Sequence, residues 1–240
     1  MLIGVSACVE RLQLGDGKIA RKMAMVACAA SVWNSRMRGI RASIPMAHSI
    51  KLILASASPR RSQLLSAAGL SFEVVESSVA EIRREGEPAR DYAMRMATEK
   101  ARAVSIRFPG AIVVGADTIV VCGDEILEKP ASPNDARRML RMLAARTHLV
   151  ITAFAIARGG AVLEHEPVES RVTFRALSDG EIAEYLATGE PFDKAGAYGI
   201  QGLARGFIAS VEGSRDNVMG LPTNSVIAAL ARCGIAAESS

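Results

Sequence analysis

The segment A-S-A-S-P-R-R from Ala55 to Arg61 has the composition of a phosphate grip. Ser58 suits the N-cap of a helix and Pro59 its first position, where a missing N–H costs nothing. A helix start leaves backbone N–H groups without partners at the positive end of the dipole, so it attracts anions. Arg60 and Arg61 add fixed charge, and a guanidinium can hold two phosphate oxygens at once. An ordinary capped helix with solvated arginines accounts for the same residues, and the grip alone names no reaction. Downstream, Asp117 interrupts the otherwise apolar run A-I-V-V-G-A-D-T-I-V-V-C, and a buried carboxylate needs a partner or a chemical task. The segment E-P-F-D-K-A-G-A-Y-G-I-Q-G, Glu190 to Gly202, sets three glycines around an aspartate, a lysine and a glutamine. Such a loop can bring backbone close to a ligand.

The elements that must position these residues follow from apolar spacing. An apolar strand runs into Ser56, and the helix after it stops near Gly69. F-E-V-V at 72–75 reads as a second strand, followed by a polar connection from Glu76 to Glu87 that carries Glu81. Pro88 starts a helix whose apolar positions Ala89, Tyr92, Ala93, Met96, Ala97, Ala101 and Val104 follow the helical period. Lys100 falls on that same face, where it either snorkels its ammonium outward or points into a cleft. The run from Ala111 to Cys122 has the continuous apolar character of a strand buried on both faces, with a hairpin at Gly123-Asp124. Ser132-Pro133 caps a helix, and strands over about 147–157 and 161–174 form an antiparallel hairpin around Gly159-Gly160. Ser178-x-x-Glu181 is a capping box for a helix ending at Gly189. A strand near 206–211, a loop through Gly220-Leu221-Pro222 and a helix over about 223–233 complete the chain. Early alternation of strands and helices with a long hairpin between them predicts an α/β class with a mixed sheet.

At 240 residues and 50% hydrophobic, the chain can bury a sizeable core. Its net charge of +4 is unevenly placed: residues 1–48 hold seven Lys/Arg against two acids, which leaves the remainder at −1. A nearly neutral body argues against broad binding of nucleic acid, whose affinity comes from many phosphate contacts. Aromatics are only 4%, with the sole tryptophan at Trp33 in the basic segment, so little is available for base stacking. The four cysteines (Cys8, Cys28, Cys122, Cys233) are widely spaced with no C-x-x-C pair, which suggests neither a zinc site nor a disulfide framework and fits a reducing cytoplasm. No apolar run reaches the roughly 18 residues that span a bilayer. Residues 1–48 read as a basic extension, disordered or preceding a true start near Met46, and residues 49–240 as the folded body, one large α/β domain or two small ones.

Taken together, A-S-A-S-P-R-R (55–61), E-K-A (99–101), G-A-D-T (115–118), E-K-P (128–130), D-K-A-G-A-Y-G-I-Q-G (193–202) and G-L-P (220–222) resemble the Maf family of nucleoside triphosphate pyrophosphatases. The resemblance covers essentially all of residues 50–235, in order. It implies an inosine-triphosphatase-like fold, a mixed twisted sheet flanked by helices around a central cleft. It also implies hydrolysis of a nucleotide between its α and β phosphates with a divalent metal, Mg²⁺ or Mn²⁺, and a homodimer. Asp117 would be the proton acceptor that activates water, and Glu81 and Asp117 the metal carboxylates. Ser56, Ser58, Arg61, Lys100, Lys129 and Lys194 would surround the triphosphate. The E-K-P and glycine-loop motifs look like the dTTP/UTP subgroup, in which Arg60, Thr118 and Gln201 occupy positions linked to pyrimidine selection. The alternatives are a pyrophosphatase for 7-methyl-GTP or other modified nucleotides, and a non-catalytic nucleotide-sensing regulator of division. G-S-R-D-N-V at 213–218 departs from many relatives, which carry an aromatic residue where Arg215 stands.

Overall fold

A computed structural model describes residues 50–236. The reading of residues 1–48 as a basic extension lies outside the described residues. The chain runs through β1 (Leu52–Leu54), α1 (Pro59–Ala67), β2 (Glu73–Val74), α2 (Ala89–Arg107), β3 (Ile112–Cys122), β4 (Glu125–Leu127) and α3 (Pro133–Leu143). It continues through β5 (Thr147–Arg158), β6 (Ala161–Phe174), α4 (Asp179–Ala187), β7 (Ile208–Glu212), α5 (Arg215–Met219) and α6 (Thr223–Arg232). The seven strands form one mixed sheet in the order β2-β1-β3-β5-β6-β7, with β4 hydrogen-bonded to β3 off this path. β1 pairs in parallel with β2 and β3, and all other pairs are antiparallel. Mixed pairing follows from the connections. Helical crossovers join β1, β2 and β3, whereas glycine turns join β3 to β4 and β5 to β6, with Gly123, Gly159 and Gly160 all at positive φ.

Alternation along β3 and β5 assigns each residue a face. Ile112, Val114 and Ala116 with Phe154 and Ile156 point to one side, against Leu64 and Leu65 of α1 and Val226, Ala229 and Leu230 of α6. Ala153, Ala155 and Ala157 point to the other, against Ala93, Met96, Ala97 and Ala101 of α2. This second layer is built from small residues, so helix and sheet lie close. Gly115 takes that closeness furthest: a Cβ there would stand 2.5 Å from the Ala97 carbonyl oxygen and 2.6 Å from the Ala101 nitrogen. By the same alternation Asp117 faces α2 and Thr118 faces α1. A third cluster packs α3 and α4 around Leu127, Leu140, Leu143, Phe174 and Ile182.

Several local expectations differ in detail. β2 is shorter than F-E-V-V: only Glu73 and Val74 stand in register with β1, and Val75 adds a single bond to the Leu54 carbonyl. The last strand begins at Ile208 rather than Gly206, since Leu203–Phe207 winds into a 3₁₀ turn. The predicted loop before Gly220 contains α5, which the Ser214 side chain caps by accepting from the Asn217 N–H at 3.2 Å. Ser178 and Glu181 make both bonds of the capping box, and Ser132 caps α3 through the Asp135 N–H.

Candidate active site

The end of β1, the middle of β3, the start of α1, one face of α2 and the loop 190–202 surround a cleft of about 730 Å³. Ser56, Ser58, Arg60, Arg61, Glu81, Lys100, Asp117, Thr118, Lys129, Lys194 and Gln201 all line it. The centre is Lys100, which is buried; its Nζ stands 2.6 Å from Asp117 Oδ1 and 2.6 Å from Glu81 Oε1. Of the two sequence readings of this lysine, the structure takes the cleft. The close packing that Gly115 permits brings α2 near enough for that contact. Lys129 approaches the other Glu81 oxygen at 3.4 Å.

The two carboxylates respond differently to their settings. Burial pushes the Asp117 carboxyl above its ordinary value, against the pull of the Lys100 and Arg61 charges. Glu81 is partly desolvated as well, but its bonds and attraction to Lys100 and Lys129 outweigh that and hold it below the usual range. Their hard oxygen donors suit Mg²⁺ or Mn²⁺. Among the described residues no group of three or more His, Cys, Asp or Glu gathers as a metal cage. A divalent ion fits this donor set if substrate phosphates and waters supply its remaining ligands, as Mg²⁺ commonly requires.

The phosphate grip is more constrained than its sequence suggested. Arg61 donates through Nε to the Gly220 carbonyl at 2.8 Å, through Nη1 to Ser56 Oγ at 3.1 Å and through Nη2 to Thr118 Oγ1 at 3.1 Å. Burial draws its pKa below the ordinary arginine value, opposed by the Asp117 and Glu81 charges. The Thr152 hydroxyl donates to the Asn217 carbonyl at 2.7 Å, so its only proton is engaged and the 2.9 Å bond to Thr118 must be donated by Thr118. That ordering leaves the Thr118 lone pairs for Arg61. Ser58 holds the N-cap position, but its side chain makes no cap bond; instead its N–H donates to Ser56 Oγ at 3.2 Å. The start of α1 therefore remains open toward the cleft.

The opposite wall is the glycine loop. Lys194 Nζ lies 2.6 Å from Asp193 and also donates to the Glu190 carbonyl. Gly199 makes room for the lysine stem, since a Cβ there would meet Lys194 Cε at 2.9 Å. Asp193 also binds Arg60 at 3.2 Å, joining the loop to α1 across the cleft mouth. Burial works against the Asp193 charge, but Lys194 and Arg60 prevail and keep its carboxyl below the usual value. Gln201 is exposed at the rim.

Sequence reasoning missed four contributors. Asp193 stood inside the quoted motif beside Lys194 yet carried no signal of its own. Tyr92, counted as an apolar helix position, is buried with its ring in the cleft lining and its phenol near Glu128. Burial and the Glu128 charge push that phenol well above its ordinary pKa, so it stays a donor. Thr152 and Asn217, which order the hydroxyls behind Arg61, lie in segments that read as plain strand and loop.

The sequence profile described as Maf-like protein matches residues 51–233, a span that contains every one of these cleft residues. The chain belongs to the Maf family. Among curated relatives, the dTTP/UTP pyrophosphatase of Koribacter versatilis is 49% identical over 184 residues, covering 77% of this chain and 95% of that protein. Those of Geotalea uraniireducens (49% over 186 residues; 76% and 95% covered) and Myxococcus xanthus (48% over 184; 77% and 93%) carry the same name. A solved HAM1 protein from Coxiella burnetii aligns at 13% identity with a TM-score of 0.39, over 78% of this chain and 100% of that one. The architecture of this Maf chain accordingly rests on its own sheet order. Within it, no described helix is long and apolar enough to cross a membrane.

Proposed function

We propose that this Maf protein is a nucleoside triphosphate pyrophosphatase that hydrolyses dTTP and UTP to the monophosphate and pyrophosphate. One observation carries the reading. Asp117 lies buried at the centre of a cleft whose walls hold Arg60, Arg61, Lys100, Lys129 and Lys194, drawn from four separate parts of the chain. The names of relatives at 48–49% identity support the same reaction.

In this reading Asp117 takes a proton from the water that attacks the α phosphorus. Its raised pKa makes it a better base than an exposed aspartate. The bond from the α phosphorus to the oxygen bridging toward the β phosphate breaks, and pyrophosphate leaves with the electron pair. Ser56, Ser58 and the open start of α1 seat the phosphates. Arg61, Lys129 and Lys194 meet the charge that grows on the leaving group; Arg61 and Lys194, held beforehand by their own bonds, need little reorganisation in the transition state. Glu81 and Asp117 would hold Mg²⁺ or Mn²⁺, which supplies neutralisation of phosphate charge. Arg60 and Gln201 face the remaining nucleotide, and Thr118 acts on it through Arg61. A Gln201 amide can donate and accept on a pyrimidine edge, and a base that leaves those groups unpaired is rejected. Cytoplasmic location and a homodimer belong to the same reading, supported by the scattered cysteines and the family resemblance.

The test incubates the full chain with each common nucleoside triphosphate and 7-methyl-GTP in Mg²⁺ and measures pyrophosphate and orthophosphate. Pyrophosphate from dTTP and UTP, with the highest kcat/KM in the panel, is expected. Orthophosphate as the product, or a preference for 7-methyl-GTP, defeats the proposal.

A further inference from the structure

The loop that carries Glu81 has little structure of its own. Val75 closes β2 by donating its N–H to the Leu54 carbonyl at 3.0 Å, and α2 begins after Pro88. Between them, residues 76–87 form neither helix nor strand, and their backbone makes two internal bonds, Ile82 N–H to Ala80 and Glu87 N–H to Arg84. Apolar burial does not fix the loop at the critical point either, because Ile82, next to Glu81, is 70% exposed.

Arg95 of α2 takes up that role. Its Nε and Nη2 grip the two oxygens of Glu87 at 2.6 Å each, and Nη2 donates its second hydrogen to the Ile82 carbonyl at 2.9 Å. Nη1 reaches Glu99 at 3.3 Å. Glu87 in turn accepts the Arg84 N–H at 3.1 Å, and the Arg83 side chain donates to the Glu87 carbonyl. With side chains 17% and 9% exposed, Arg95 and Glu87 form the least exposed arginine–carboxylate pair among the described residues. One helix thus pins two adjacent loop residues, Ile82 through Arg95 and Glu81 through Lys100. Five helical residues place those anchors about 7.5 Å apart along the axis and about 140° apart around it. Two anchors so separated fix the direction of the Glu81 side chain as well as its position.

We infer that Arg95 is a positioning residue for the pyrophosphatase site, holding Glu81 over Lys100 through the fork that joins Glu87 to the Ile82 carbonyl. The inference rests on Glu81 being a working carboxylate of the proposed reaction. A lysine cannot replace the fork, since its ammonium is a compact charge that cannot align on a carboxylate and a carbonyl in one plane.

The experiment uses the full chain with R95A, R95K, E81Q, R95A/E81Q, R95K/E81Q and the control E99Q, which takes the charge from an Arg95 contact outside the loop. Without nucleotide or metal, amide hydrogen exchange across residues 76–87 is expected to quicken about tenfold or more in R95A and R95K, while β3 and β5 amides stay unchanged. With dTTP and Mg²⁺, kcat/KM should fall about 10- to 100-fold in R95A, as for other groups that orient a ligand-bearing residue. It should stay within about twofold of wild type in E99Q, whereas in the E81Q background R95A should cost less than about threefold. Unchanged loop exchange in both Arg95 variants overturns the inference, and so does an R95A penalty of equal size with and without Glu81. If R95A fails to fold, R95K carries both comparisons. If wild type releases no pyrophosphate, the proposed reaction fails, and the exchange result still decides what Arg95 holds.

Discussion

Replacing Gly115 with alanine tests whether the closeness of α2 to β3 positions the site. The new Cβ would lie 2.5 Å from the Ala97 carbonyl oxygen and 2.6 Å from the Ala101 nitrogen. Both are backbone atoms of one helix, so no side chain can swing away to relieve them. Restoring an ordinary separation of about 3.5 Å requires α2 to retreat by roughly 1 Å. Overpacking of this kind costs about 1–3 kcal/mol of stability, which urea unfolding would read. The same retreat carries Lys100 with it, only one residue from Ala101, and stretches a 2.6 Å contact to Asp117. A misplacement of about 1 Å can cost roughly 100-fold in rate, so pyrophosphate release in G115A should fall by about that factor with the protein still folded at 25 °C. The decisive comparison is between the two readings. A G115A enzyme that loses stability but keeps wild-type kcat and KM would refute the argument that helix–strand spacing sets the Lys100–Asp117 contact.

Two other perturbations follow from buried groups. K100A, in metal-free buffer at pH 7, should lose about 3–5 kcal/mol because it leaves the buried Asp117 carboxylate without its closest cation. Adding D117N should then recover much of that loss in urea unfolding; no recovery would mean the carboxylate is not charged or not buried as described. His148, under Tyr198 and Phe174, is held to a pKa of about 4 by burial, from an ordinary 6.5. A depressed histidine pKa means the unfolded chain binds the proton first, so stability is fully present above pH 6.5 and drains as pH falls toward 4, by about 3 kcal/mol in all. H148Q should flatten the urea-stability profile between pH 7 and 4.5 relative to wild type, and parallel profiles would count against the assignment.

The parts of this molecule that could be read from sequence are those in which one residue type serves a local rule. Ser178 and Glu181 sit three apart because a capping box needs that spacing, and the glycines at 159 and 160 sit between two strands because the turn needs positive φ. Asp117 announced itself for a related reason, as a charge where the pattern demands apolar residues. What the pattern could not show was pairing across the chain. Lys100 kept two readings, snorkelling or entering a cleft, because the helical period gives its face but not what that face meets. Gly115 passed unremarked within its motif, although a Cβ on the same β3 face as Asp117 would strike α2. Arg95 and Glu87 are harder still. They are eight residues apart across a helix start, and both are common surface types. Their value lies in a carbonyl, Ile82, whose identity as a side chain is irrelevant. The motifs therefore mark the groups that meet the ligand, while the groups that hold them are chosen by distances that only the folded chain sets. That division explains why Glu81 drew attention through resemblance alone: a carboxylate on an unsupported loop becomes a site residue only once Arg95 and Lys100 fix where it points.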